Sequence, residues 1–253
     1  MIVRKYKLII LILSIVIIIE TFLLLKSKFY FKPKIAIVID DWGYSLENLE
    51  YLEEIKYPLN IAILPNQLYS KQIIERLKSK NNLEFLLHLP LEPKEEEILT
   101  WEPYTITTKM SEDTIRDILK NAIEQLPYIK GVSNHMGSKA TEDLRTMRII
   151  FKEIKRRGLY FLDSFVSANS ICEKLSKQMS IRFVKKDIFL DNYLNSAYIK
   201  DQIEKLKNKS LRDGLAIGIA HNRKVSLEVL KETLPKLSRE GFKFVFLSEL
   251  AKR

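Results

Sequence analysis

The chain has 253 residues, 42 Lys/Arg against 32 Asp/Glu for a net charge of +10, and a single cysteine. Seven of the basic residues and one Glu lie in residues 1–34, so the remainder carries a net +4 with both signs interspersed, which excludes a nucleic-acid footprint. The lone Cys172 excludes an internal disulfide, and roughly 220 residues beyond position 34 are ample for one large core.

Arg4, Lys5 and Lys7 precede an almost wholly apolar run, Leu8 to Leu25. As a helix of ~1.5 Å rise per residue this run spans about 27 Å. No small-x-small cleavage site follows it, so residues 1–34 are expected to form an uncleaved membrane signal anchor with a short linker. The expected location is the inner (cytoplasmic) membrane, single-pass, with residues 35–253 facing the periplasm or the extracellular side.

Beyond Lys34, apolar runs alternate with amphipathic stretches. Strands are predicted at 35–39, 59–64, 83–88, 129–134, 159–163, 187–190, 215–220 and 243–247. Helices are predicted at 45–56, 69–80, 111–126, 142–157, 197–209 and 226–239. Ser111-Glu-Asp-Thr caps one helix and supplies an acidic first turn. Ile149, Ile150 and Ile154 line one face of another, opposite Lys152, Glu153 and Arg156. Gly158 and Gly241 stand where helices end. This alternation predicts an α/β fold with a mostly parallel sheet and right-handed crossovers. Seven or eight units fit a closed or nearly closed barrel as well as an open sheet. One long irregular connection, roughly 89–110, holds Trp101 and Tyr104, and loops of that length are often functional.

Only three histidines occur, and each closes an apolar run: His88 after Leu-Glu-Phe-Leu-Leu, His135 after Ile-Lys-Gly-Val-Ser-Asn, and His221 after Leu-Ala-Ile-Gly-Ile-Ala. The run Ile35–Ile39 ends in Asp40-Asp41. Buried parallel strands read as such runs, and their C-terminal ends are where α/β folds assemble active sites. Imidazoles and carboxylates gathered on one rim point to a metal-dependent hydrolase. Asp163 and Asp191 end two further strands and are candidates for carboxylates that orient histidine. Ser164 lacks a Gly-x-Ser-x-Gly elbow, so a hydrogen bond to substrate or carboxylate is expected of it rather than nucleophilic attack. Trp42, Trp101 and Tyr104 are candidates for stacking on sugar rings.

These strand ends together resemble the divergent branch of the polysaccharide deacetylase superfamily. The stretches that carry the resemblance are Ile39-Asp-Asp-Trp-Gly43, Ala62-Ile-Leu-Pro65, His88-Leu-Pro-Leu-Glu-Pro93, Asn134-His-Met-Gly-Ser138, Phe161-Leu-Asp-Ser164, Phe189-Leu-Asp-Asn192 and Gly218-Ile-Ala-His221. They fall in order across almost all of 35–253, with Trp42, Lys186, Ala220 and Asn222 departing from the usual pattern. The resemblance implies a NodB-like distorted (β/α) barrel of about seven parallel strands, behind the one N-terminal transmembrane helix. It implies a divalent metal, zinc first among candidates, held by Asp41, His88 and His135. By the same analogy Asp40 is the general base, and Asn134, like Asp163, Ser164, Asp191 and Trp42, belongs to the surrounding shell or the substrate contact.

Neighbouring strand residues point to opposite faces, so Asp40 and Asp41 share one site only if the strand end bends, a condition Gly43 would ease. His221 is the candidate general acid, the remaining histidine, at the end of the penultimate strand. The implied activity is removal of acetyl groups from a cell-envelope carbohydrate. The expected partners are that carbohydrate, the membrane and envelope proteins, with no nucleic acid. The rival of another class is a catalytically inactive barrel that binds glycan or peptidoglycan. A glycosidase using Asp40 and Asp163 leaves three histidines without a role.

Overall fold

A computed structural model describes residues 12–21, 32–94 and 102–252. Nine strands form one sheet: β1 (Lys34–Trp42), β2 (Leu59–Ile63), β3 (Leu83–Leu91), β4 (Gly131–Met136), β5 (Tyr160–Asp163), β6 (Phe183–Lys185), β7 (Ile188–Phe189), β8 (Leu215–His221) and β9 (Lys243–Phe244). The helices beyond residue 32 are α1 (Leu49–Glu54), α2 (Ser70–Leu77), α3 (Glu112–Gln125), α4 (Leu144–Arg156), α5 (Cys172–Met179), α6 (Ser196–Asp213), α7 (Lys224–Arg239) and α8 (Leu247–Leu250). The sheet order is β6-β5-β4-β3-β2-β1-β8-β7, with β9 beside the start of β1. Every ladder between these strands is parallel.

The sheet curls into a half-barrel whose two edges are joined by one stretch of chain. The Lys186 amide bonds the Asp163 carbonyl on the β5 side, and the next amide, of Asp187, bonds the Ile217 carbonyl on the β8 side. One continuous segment thus steps across the gap between β6 and β7. This is the distortion of the barrel.

Strand alternation sorts the side chains into two cores. Ile35, Ile37 and Ile39 pack outward under the helices with Ile61, Ile63, Leu87, Phe151 and Leu230. Ala36, Val38, Ala62, Leu86, Leu162 and Ile219 line the interior. Helix α8 plugs the interior from below: Leu247 N–H bonds Asn60 Oδ1 (2.9 Å) and Ser248 N–H bonds Glu84 Oε1 (3.0 Å). Those bonds account for two polar residues buried on an apolar face. Periodicity alone extends a strand through 243–247, but only two residues pair there before the plug begins.

Gly131 opens β4 against the ring of Tyr160, whose hydroxyl donates to Glu84 at 2.7 Å. A Cβ at position 131 would stand 2.4 Å from that ring. Gly131→Ala is therefore expected to destabilise the fold by about 1–3 kcal/mol, an overpacking cost read as a lowered denaturation midpoint.

The N-terminal expectation needs correction. Residues 12–21 are helical, which is about half the ~20 residues a membrane crossing needs. Among the described residues no helix is long and apolar enough to cross a membrane. The rest of Leu8–Leu25 lies outside the described residues. The single-pass anchor, the inner-membrane location and the membrane as partner are accordingly not supported.

Candidate metal and acid–base site

The site forms at the C-terminal rim, where interior-facing positions emerge. Asp40, His88, His135 and His221 share the inward parity of Val38, Leu86, Ser133 and Ile219 on their own strands, so four strand ends converge without any long excursion.

Asp41 enters by a different device. The β1–β2 register runs Ile39↔Ile61 and then Trp42↔Ile63, one residue more on β1 than on β2. This is a β-bulge, and Asp41 sits in it with φ +64°. The bend therefore falls on Asp41 itself, and Gly43 follows it at φ +136°. It brings Asp40 and Asp41 to one site and turns Trp42 outward. Trp42 is fully buried in the outer core, so it offers no face to a sugar ring, contrary to expectation. After His135 the chain likewise turns through Met136 at φ +53°. Strained φ values of this kind gather at functional sites.

Three ligand-type atoms face one another. Asp41 Oδ1 lies 3.1 Å from His135 Nδ1 and 3.3 Å from His88 Nε2, and the two ring nitrogens are 3.2 Å apart. Bond lengths of 2.0–2.1 Å in a tetrahedral zinc site imply ligand–ligand edges of about 3.3 Å, so this triangle fits one face of such a site with a fourth position left open. Two ring nitrogens this close repel unless a proton or a cation sits between them. The donor set, one carboxylate and two imidazoles, suits a borderline divalent ion. On the far side of His88, Nδ1 lies 2.8 Å from Ser133 Oγ. That bond places the proton on Nδ1 when Nε2 is a ligand. Nothing in the sequence flagged Ser133, because only the β3–β4 register sets it opposite His88.

Asp40 is buried, with Oδ2 3.7 Å from His88 Nε2 and Oδ1 without a hydrogen-bond partner among the described residues. Burial raises its pKa above the ordinary carboxylate value, aided by the Asp41 charge and opposed by His88, His221 and His135. Asp41 is also desolvated, but hydrogen bonds from His135 and His88 outweigh this and hold it well below the usual carboxylate range. Two adjacent carboxylates are thus pushed apart in basicity, the pattern by which a site separates a proton acceptor from a permanent anion.

His221 stands at the end of β8, directly opposite Asp40 in register. Its Nδ1 lies 2.7 Å from Asp191 Oδ1, its backbone N–H donates to Asp191 Oδ2, and Ser226 Oγ donates to that same oxygen at 2.6 Å. Phe189 stacks on its ring, with centroids 5.9 Å apart, and Lys186 Nζ lies 3.3 Å from the Phe189 ring centroid. Burial works against a charged His221, but Asp191, with Asp40 and Asp41 further off, raises its pKa. Desolvation lowers the Lys186 pKa to about 8 despite the charges of Asp163 and Asp40.

Of the two expected histidine partners, Asp191 is one and Asp163 is a strut, as are Ser164 and Asn134. Asp163 has the outward parity of Phe161; it accepts from Phe165 N–H (2.7 Å) and Ser170 Oγ (2.6 Å) and meets no histidine. Ser164 N–H donates to Asn134 Oδ1 (2.8 Å), Ser164 Oγ donates to the Asn134 carbonyl (3.0 Å), and Asn134 Nδ2 donates to the Met136 carbonyl (2.7 Å). Both residues are buried, and they lace β5 to the end of β4 behind His135. The buried Glu92 of His-Leu-Pro-Leu-Glu-Pro does similar work, accepting from Thr108 N–H and Oγ1 and from Lys139 Nζ. Trp101 lies outside the described residues; Tyr104 is exposed at the rim.

A parallel half-barrel with an Asp-His-His cluster at its strand ends is the arrangement of the NodB-like carbohydrate deacetylase fold. The chain belongs to the divergent polysaccharide deacetylase family, whose model matches residues 37–251. It is 31% identical over 204 residues to the uncharacterized protein YibQ of Escherichia coli K12, covering 81% of this chain and 63% of that one, so it spans less than two thirds of that relative's length. Among solved structures it resembles an uncharacterized protein of Agrobacterium tumefaciens C58, with TM-score 0.82 and 22% identity over 87% of this chain and 89% of that one. It also shares its fold with a family 4 acetyl xylan esterase from Clostridium thermocellum in complex with a cobalt ion, with TM-score 0.52 and 14% identity over 86% and 89% of the two chains.

Proposed function

We propose that residues 35–253 form a metal-dependent deacetylase that hydrolyses acetyl groups on a cell-envelope carbohydrate. The observation that carries this reading is the Asp41–His88–His135 triangle, whose ligand atoms lie within 4.8 Å of one another. A zinc-class ion held there would polarise the acetyl carbonyl and acidify water. Asp40, with a buried oxygen that meets no donor among the described residues, takes the proton of the attacking water. His221, protonated and oriented by Asp191, gives a proton to the sugar nitrogen or oxygen as its bond to the acetyl carbon breaks. Acetate and a free amine or hydroxyl are the products. Ser133 orients His88, and the Asn134–Ser164 lacing supports the strand end that carries His135. The test is metal content after purification, then acetate release from an acetylated oligosaccharide. A protein that takes up no divalent ion, or that is metal-loaded and releases no acetate, overturns the reading.

The pH dependence has a definite sign. The active form of His221 is the protonated one, and Asp191 raises its pKa, so activity persists to higher pH than a free imidazole allows and falls as pH rises past the raised value. Asp191→Asn removes the opposing charge and is expected to move the alkaline limb of kcat/KM to lower pH, with metal content unchanged. A limb that stays in place in that variant takes the acid role away from His221.

A further inference from the structure

Four strand ends supply the acid–base and ligand groups described above, but one further charged side chain faces the same mouth. Lys186 lies where the chain steps across the gap in the barrel, its amide fixed to the Asp163 carbonyl and the next amide to the Ile217 carbonyl. It shares the inward parity of Val184, an interior residue of β6. Only 9% of it is exposed. Among the described residues its Nζ makes no hydrogen bond or ion pair; it sits instead on the face of Phe189, 3.3 Å from the ring centroid. A buried ammonium without a counter-ion is costly, and an apolar side chain of the same length would pack there without that cost. Packing therefore gives no reason for the charge.

Phe189 connects that charge to the acid. The same ring stacks on His221, with centroids 5.9 Å apart and planes 19° apart. Together the two contacts hold the ammonium within about 9 Å of the imidazole centre. An aromatic face attracts a cation, and a second cation on the same ring competes for that attraction. Lys186 thus opposes a charge on His221 through the ring and by direct repulsion in a desolvated site.

The other groups around His221 mostly pull the opposite way. Burial disfavours its charge, but Asp191 beyond β7 and Asp40 and Asp41 on β1 favour it. His88 on β3 opposes it when charged, and Arg223 is engaged by the Asp191 carbonyl at 3.2 Å. Desolvation brings the Lys186 pKa down to about 8 against the pull of Asp163, Asp40 and Asp187, so below that pH the ammonium is charged. Three carboxylates acting alone would make the imidazolium a weak acid, whereas proton donation is most efficient when the donor titrates near the working pH.

Resting on the deacetylase reading, we infer that Lys186 is a positioning residue for the acid: its ammonium, seated on the Phe189 ring, makes His221 readier to give up its proton.

The test follows the His221 ring by NMR titration of the metal-loaded full chain, its signal identified by loss in His221→Gln. Lys186→Met keeps the length and the apolar stem but removes the charge, and is expected to raise the His221 pKa by about 0.5–1 pH unit. Lys186→Arg, which restores a cation over the ring, should return it to the wild-type value. Lys185→Met is the control, because that neighbour pairs with Glu173 at 3.0 Å and lies over Phe165; it should leave His221 in place. In a Phe189→Leu background, Lys186→Met should move His221 by less than half as much, since the ring is the link. A His221 pKa that stays or falls in Lys186→Met, that moves as far in Lys185→Met, or that moves in full without the Phe189 ring overturns the inference. Acetate release from an acetylated oligosaccharide is read separately. If His221 shifts as expected but the wild-type chain releases no acetate, the tuning by Lys186 stands and the deacetylase reading falls. If acetate is released while Lys186→Met leaves the His221 pKa unmoved, the deacetylase reading stands and the tuning falls.

Discussion

His135→Ala is expected to lose the divalent ion and remain folded. Its Nδ1 is one corner of a triangle with edges of 3.1–3.3 Å, and two remaining ligands cannot close a tetrahedral face. The expected fall in metal affinity exceeds the roughly 10- to 100-fold that follows loss of a residue supporting a ligand, such as Ser133→Ala at the back of His88. The fold persists because His135 lies at the strand end and belongs to neither apolar core. Metal analysis of the purified variant, with circular dichroism and a melting curve, reads both parts. Full metal occupancy in His135→Ala would sink the ligand assignment, and unfolding would show that the rim supports the barrel.

Asp40→Asn is the second large effect, and it separates two neighbouring carboxylates. Hydrolysis should fall by roughly 10²–10⁴, the usual share of general acid–base catalysis, with metal content retained. Asp41→Asn should do the opposite and lose the metal first. The environment of Asp40 adds a signature that simple damage would not give. Burial already disfavours its charge, and Oδ1 has no donor among the described residues, so an uncharged amide of the same shape relieves a cost. The melting temperature of Asp40→Asn is therefore expected to match or exceed that of the wild type while activity collapses. A variant that keeps its activity, or that loses metal as Asp41→Asn does, exchanges the two roles.

Much of this was legible in the chain because the information was local. Apolar runs of strand length, each closed by a histidine or an aspartate, marked β1, β3, β4 and β8 and the rim to which they lead. The cap Ser111 and the face Ile149, Ile150 and Ile154 marked α3 and α4, where Ser111 Oγ accepts from Thr114 N–H and the three isoleucines are buried. Three elements escaped: three-residue β6, the four-residue plug α8, and the eight-residue α5. A membrane span predicted from hydropathy alone found no matching helix among the described residues.

Composition and periodicity by themselves determined the class of fold, the rim and the inventory of groups that could do chemistry there, since parity along a strand is a property of the sequence. Tertiary structure alone decided their duties. One extra residue in β1 against β2 sends Asp41 into the site and Trp42 into the core, although both belong to one motif. Asp163 and Asp191 end neighbouring-looking strands, yet one braces a loop and the other orients His221, because they emerge with opposite parity. Ser133 became a partner of His88 through strand register. Registers, bulges and facing distances depend on pairs of residues 45 or 94 positions apart, as for Ser133 with His88 and His135 with Asp41, and no local pattern encodes such a pairing until the sheet has closed around it.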